Sequence, residues 1–354
     1  MSRALSVVQL IRLAPLLALL GATAGCGSFV AHRMAQAPNS YPQWLSPQAR
    51  VELSFDQTRL TNFPNQFVAV GPPSATLRYR VIEPADFGFS VTATNWLKRG
   101  HPHFRFKFQA KFDGQTNAWS RQPRGTVVLL HGYGVAQFAM VPWALRLAED
   151  GWRCVLVDLR GHGRSTGNRI FYGVEETRDL RQLLDELERT GQGCGPVTAL
   201  GESYGAALAL RWQAEDVRIE RAIAIAPYAT LSNAVLNICR EYAHWMPQSF
   251  PKAGLKRLPD LLKVPAAELD TATVLARRPV PALFVAGADD RISPVAEVEK
   301  LYRTAAPGSE FVVIPQASHE SVTYFFNGLT TPVRDWLVRE SVKSGSSTTG
   351  AGGN

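Results

Sequence analysis

The most constraining stretch of this chain is five residues long, Gly201-Glu202-Ser203-Tyr204-Gly205. It follows the apolar run Val197–Leu200 and precedes Ala206-Ala207-Leu208-Ala209-Leu210-Arg211-Trp212, whose composition favours a helix. Passing from an extended run into a helix across so tight a turn requires residues without bulk at positions 201 and 205. Ser203 is then lifted above the strand end, with its hydroxyl exposed and the next backbone N–H pointing at it. Strand, turn and helix make one βα unit, and such units in series build a largely parallel, right-handed sheet.

The rest of the middle repeats that unit. Nearly continuous apolar runs occur at Thr126–Leu130, Cys154–Val157, Ala222–Ala226, Ala282–Val285 and Phe311–Ile314, as expected for strands covered on both faces. Helical patterns lie between them. Leu180, Leu183, Leu184 and Leu187 repeat at helical spacing, as do Val295, Val298 and Tyr302. Thr331-Pro332 predicts a helix start ahead of Val333, Trp336 and Leu337. Upstream, Leu77–Val81 and Phe104–Phe108 alternate apolar with charged residues, which predicts antiparallel edge strands of the same sheet. Between Ala226 and Ala282 the connection is far too long for one helix. It contains helix-like Ser232–Met246, Leu255–Lys263 and Thr271–Arg277, and residues 232–270 read as a helical cap over the C-terminal edge of the sheet.

Composition narrows the class. The 354 residues are 45% apolar and only 19% charged, which excludes a disordered polymer. The 28 glycines are aperiodic and there are four cysteines, so collagen and disulfide scaffolds are excluded as well. Net charge is +8, but no run of five or more Lys or Arg marks a nucleic-acid tract, and no nucleic-acid partner is expected.

The ends are read apart from the fold. Residues 1–25 carry Arg3 and Arg12, a short apolar core at Leu13–Leu20, and small residues leading to Cys26, the pattern of a removable export signal. The uncharged stretch is too short for a spanning helix, and Pro15 interrupts it. Losing this segment takes the charge from +8 to +6. Residues 26–48, polar with Pro38, Pro42 and Pro47, read as a tether, and 344–354 as a flexible tail. One folded domain over 49–343 remains. Cys154, Cys194 and Cys239 show no paired spacing and read as free thiols.

A serine hydroxyl is a poor nucleophile until a base takes its proton, and the base needs an orienting carboxylate. Both should follow Ser203 in the chain and sit just past strand ends. The run Phe311–Ile314 leads to His319, the only histidine after His244. The run Ala282–Val285 leads to Ala286-Gly287-Ala288-Asp289-Asp290-Arg291. Asp290 is taken as the acid, with Gly287 three before and Pro294 four after, and Asp289 is held in reserve.

In combination these motifs resemble the α/β-hydrolase superfamily, in the style of the capped branch holding monoacylglycerol lipases and serine aminopeptidases. The residues carrying the resemblance are His131-Gly132-Tyr133-Gly134, Asp158-Leu159-Arg160-Gly161-His162-Gly163-Arg164-Ser165, the Ser203 pentapeptide, the Asp290 loop and the late His319. It implies an oxyanion hole formed by the backbone N–H groups of Tyr133 and Tyr204. It also implies structural roles for His131 and His162, a supporting role for Glu202, and no cofactor or metal. The chain departs from that branch over its first 75 or so residues. Thr23-Ala24-Gly25-Cys26 separately resembles a bacterial lipobox, implying lipidation of Cys26, a membrane partner through that lipid, and outer-membrane sorting in a Gram-negative cell. The expected activity is hydrolysis of a small ester or acyl substrate by Ser203, His319 and Asp290. Peptidase, amidase, acyltransferase and non-catalytic envelope readings stay open. Tyr242, Trp245 and Phe250, together with Met246, offer an apolar lining for an acyl chain, though the same spacing suits packing against the sheet.

Overall fold

The computed structural model describes residues 26–40, 51–54, 63–98, 101–110 and 122–339. The expected export signal at 1–25 and tail at 344–354 lie outside the described residues. In chain order the elements are α1 (Cys26–Ala35), β1 (Val51–Ser54), β2 (Gln66–Val70), β3 (Ala75–Ile82), β4 (Ser90–Lys98), β5 (His101–Gln109) and β6 (Thr126–Leu130). They continue with α2 (Val141–Glu149), β7 (Arg153–Asp158), α3 (Val174–Arg189), β8 (Val197–Glu202), α4 (Tyr204–Glu215) and β9 (Ile219–Ile225). The last are α5 (Leu231–Tyr242), α6 (Ser249–Leu262), α7 (Thr271–Arg277), β10 (Ala282–Gly287), α8 (Val295–Thr304), β11 (Glu310–Ile314) and α9 (Phe326–Val338).

Eight of the described strands form one sheet in the order β11-β10-β9-β8-β6-β7-β3-β2. β3 runs antiparallel to β7 and to β2, and every other pair in this sheet is parallel. Register is fixed by burial on both faces: Val128 of β6 lies between Val155 and Ala199. Alternate residues of β6 feed opposite sides, Val128 and Leu130 into one core cluster and Val127 and Leu129 into the other. Each fully buried aliphatic side chain of this kind stabilises by roughly 1.5–3 kcal/mol. Helices cover both faces. The site-bearing residues Ser203, Asp290 and His319 all follow the C-terminal ends of parallel strands, where loop positions are free of the ladder.

Three expectations are corrected. Phe104–Phe108 does not extend the main sheet. It belongs to β5, which pairs with β4 antiparallel and β1 parallel in a separate three-stranded sheet. The alternation identified the buried face correctly, but the partner is a helix end rather than the sheet edge. Phe104, Phe106 and Phe108 pack on Phe325, Tyr324 and Phe326, with ring centroids 5.4, 5.5 and 6.2 Å apart. Secondly, α9 starts at Phe326, and Pro332 lies inside it rather than at its first turn. Burial of Phe326 and Leu329 extends the helix backwards and overrides the local signal of the proline.

The third correction concerns the tether. Residues 26–40 are not a free linker: α1 packs along α6, and Ala31, Ala35 and Ala37 are buried. Small residues allow this close approach. Gly27 faces the backbone of Ala253, and Gly254 faces Val30 and Met34 so closely that a Cβ there would collide. Beyond α1, Ile170 donates its N–H to Ala35 O at 2.9 Å, and Tyr172 Oη donates to Met34 O at 2.7 Å. Residues 41–48 of the expected tether lie outside the described residues. Among the described residues no helix is long and apolar enough to cross a membrane.

Candidate active site

Ser203 sits at the junction of β8 and α4 with φ 51° and ψ −110°, a strained conformation for a residue with a Cβ. The surrounding packing enforces it. A Cβ on Gly201 would collide with the Gly205 carbonyl, and one on Gly205 with the Leu130 carbonyl. The Ser203 N–H donates to Ile225 O at 2.8 Å, tying the turn to β9. The helix that begins at Tyr204 leaves its first N–H groups without intrahelical acceptors, beside the hydroxyl.

His319 reaches this hydroxyl from the loop after β11. Its Nε2 lies 2.8 Å from Ser203 Oγ, and its Nδ1 lies 2.8 Å from Asp290 Oδ2. Asp290 is 5% exposed, and its Oδ1 accepts the N–H groups of Ile292 (2.8 Å) and Ser293 (2.7 Å). Those two bonds hold the carboxylate, which in turn orients the imidazole. Asp289, held in reserve by the sequence, is exposed, and its N–H donates to Ala317 O. Burial disfavours the charged form of His319. The charge and hydrogen bond of Asp290, aided by the charge of Glu202, outweigh it and raise the imidazole pKa.

Glu202 lies under this arrangement. It is 9% exposed, and its carboxyl faces Gly132 of the loop after β6. Burial pushes its pKa up to about 7; His319 pulls it down, while Glu320 and Asp290 add to the rise.

Tyr133 and Tyr204, the expected oxyanion donors, are brought together, with ring centroids 6.3 Å apart and edge to face. His131 is buried and structural. Its Nδ1 pairs with Gly132 O at 2.8 Å, and its Nε2 accepts from Leu159 N–H at 3.1 Å, joining the ends of β6 and β7. The Asp158–Ser165 loop is knit by Asp158, whose carboxylate accepts from Gln137 N and Arg164 N, both at 2.8 Å, and pairs with Arg78 at 2.8 Å. Gly163 has φ +53° and faces the Asp158 carboxyl, leaving no room for a side chain.

Tyr242 and Phe250 are partly buried, and Trp245 is 65% exposed. The small hollow onto which His319 opens is lined instead by Glu241, Asp289, Arg291, Ile292, Ser318 and Glu320. The expected apolar trio does not line it. Its charged rim escaped the sequence reading, although Arg291 and Glu320 sit next to Asp290 and His319 in the chain. Glu241 comes from α5 and carries no local signal. It pairs with Arg291 at 3.5 Å. Among the described residues no group of His, Cys, Asp and Glu could hold a metal ion.

Residues 121–273 match the sequence model of the serine aminopeptidase family S33. The uncharacterized protein YqkD of Bacillus subtilis (strain 168) is 26% identical over 208 residues, which make up 57% of this chain and 67% of that protein. Among solved structures, an esterase of Pyrococcus furiosus superposes with a TM-score of 0.58 at 19% identity, over 81% of this chain and 95% of the other. A hydrolase from Pseudomonas aeruginosa PA01 gives 0.50 at 22% identity, over 78% and 98%. At these identities the structural likeness is one of fold. In fold, this chain is an α/β-hydrolase whose central segment matches the serine aminopeptidase family.

Proposed function

We propose that this protein is a serine hydrolase that cleaves carboxylic esters through an acyl-enzyme intermediate. The observation that carries the proposal is the pair of 2.8 Å contacts linking Ser203 Oγ, His319 and Asp290. His319 takes the Ser203 proton as Oγ attacks the substrate carbonyl, and Asp290 balances the imidazolium that forms. The Tyr133 and Tyr204 amides receive the negative charge on the carbonyl oxygen; a donor of this kind is typically worth about 3 kcal/mol in the transition state. His319 then protonates the leaving alcohol, takes a proton from the water that attacks the acyl carbonyl, and returns it to Ser203 Oγ as the Oγ–acyl bond breaks and the acid leaves. No cofactor enters any step.

A fluorophosphonate probe tests the proposal. Residues 27–354 should be labelled, and Ser203→Ala and His319→Ala should each abolish both labelling and p-nitrophenyl ester turnover. A folded wild-type protein that is neither labelled nor active would sink it. Amide or peptide hydrolysis by the same groups is the second reading, favoured by the serine aminopeptidase match over residues 121–273. Turnover of amino-acid anilides above that of esters would establish it.

The apolar segment ending at Cys26 supports a further part of the proposal: export, lipidation of Cys26 and retention at the envelope of a Gram-negative cell, on the periplasmic side of the outer membrane. Fractionation of cells carrying Cys26→Ser tests it.

A further inference from the structure

The Asp158–Ser165 loop has no part in the proton transfers above, yet one of its side chains is buried at the centre of the site. His162 is 1% exposed and meets three other rings. It is stacked with Tyr204 at 5.8 Å and 26°, meets Tyr133 edge to face at 5.9 Å, and lies 5.0 Å from His131. With the Tyr133–Tyr204 contact, His162 closes a triangle of rings whose other two corners carry the expected oxyanion amides.

Resting on the serine-hydrolase reading, we propose that His162 is a positioning residue that fixes the spacing of the Tyr133 and Tyr204 backbone amides through its ring. An oxyanion hole works only if its donors are held before charge develops. Tyr133 stands between Gly132 and Gly134, the latter at φ +75° with open space around its Cα, so the turn itself supplies little rigidity. The ring beneath it is far better held. The Nδ1–H of His162 donates to Arg160 O at 2.8 Å, which sets the ring plane, and its backbone N–H donates to Leu159 O at 2.9 Å. Arg160 is anchored in turn by two 2.7 Å bonds to Asp179. The N-terminal segment clamps the same loop from outside: Asn39 N donates to Gly161 O at 3.0 Å, and Asn39 Nδ2 donates to Ser165 O at 3.1 Å.

The side chain also has the wrong properties for a proton carrier. Burial, followed by the nearby His131, pushes its pKa down to about 3, and its Nε2 has no hydrogen-bond partner in the protein. It therefore stays neutral and uncharged beside the hole. What histidine adds to a plain aromatic ring is the Nδ1–H bond that fixes the plane.

The test compares wild type, His162→Phe and His162→Ala in the full chain, with kcat expressed per titrated active site and a trifluoromethyl ketone as probe. Ser203 Oγ adds to the ketone carbonyl, the hydroxyl proton passes to His319, and the resulting alkoxide occupies the hole. For His162→Ala, kcat should fall about 10- to 100-fold, less than the loss of a whole donor, with KM nearly unchanged. Affinity for the ketone should weaken by the same factor. His162→Phe, which keeps the ring and loses the Arg160 bond, should fall between the two and covers the case in which the alanine variant does not fold. A purely architectural role would reduce the number of titratable sites but leave kcat per site and ketone affinity as in wild type, and that result overturns the proposal. So does a fall in kcat without a matching loss of ketone affinity. Failure of the wild type itself to bind the ketone or turn over esters would sink the serine-hydrolase reading, and this proposal with it.

Discussion

Glu202 is the residue whose surroundings most exceed its place in the motif. Its carboxyl is buried between the Gly132 turn and His319, close enough to raise the imidazole pKa when ionised. Catalysis requires neutral His319, so kcat/KM rises with pH through the pKa of that imidazole. Negative charge on Glu202 favours the protonated imidazole and holds this limb at higher pH. Glu202→Gln should therefore move the acidic limb to lower pH, leaving the protein active in more acid solution. A pH profile of kcat/KM checks the direction, and an unmoved or raised midpoint would refute the coupling. The chain order of Ser203, Asp290 and His319 was legible because each follows an apolar strand run. In the sequence, only the spacing to Gly287 and Pro294 separated Asp290 from Asp289. The Ile292 and Ser293 amides do so by holding only one of the two carboxylates.

At the scale of elements, the N-terminal helix α1 packs against α6, one of the helices between β9 and β10. α6 buries Pro251, Gly254, Leu258 and Leu262, and α1 lies against its Gly254 side. Replacing Gly254 with valine would drive a side chain into Val30 and Met34. Overpacking of this sort costs about 1–3 kcal/mol. Gly254→Val should accordingly lower stability in urea and expose residues 26–40 to limited proteolysis. Unchanged protection would mean that α1 does not depend on this contact. The small sheet has a parallel role on the far side. Its phenylalanine face packs on Tyr324–Phe326, the segment that follows His319 by a few residues. Neither α1 nor the small sheet contains Ser203, Asp290 or His319.

At the scale of the whole molecule, α1 begins at the residue proposed to carry the lipid, so an anchor there would attach the body beside α6 rather than through a long linker. Wild type should sediment with membranes, and Cys26→Ser should appear in the soluble fraction with ester turnover per molecule unchanged, because Cys26 is far in the chain from the reacting groups. Equal partition of the two proteins would remove the lipid proposal.

The sequence by itself determined the parallel sheet and the positions of Ser203, Asp290 and His319 just past its strand ends. Apolar runs bounded by turn residues predicted the parallel strands, which are buried except at the sheet edge, where β11 leaves Val313 exposed, and the strand-to-helix turn through Gly201 and Gly205 predicted the raised Ser203. These are local constraints of backbone sterics and period, complete within a few residues. Tertiary structure alone decided which surface each remaining segment meets. Residues 26–40 became helix and strap because α6 offered a close approach at Ala253 and Gly254. Phe104–Phe108 left the main sheet because Tyr324–Phe326 offered its aromatic face a partner. The mouth beside His319 is charged rather than apolar because α5 brings Glu241 there instead of Trp245. Burial against a distant partner is worth more than local propensity, and the identity of that partner is not written in the segment itself.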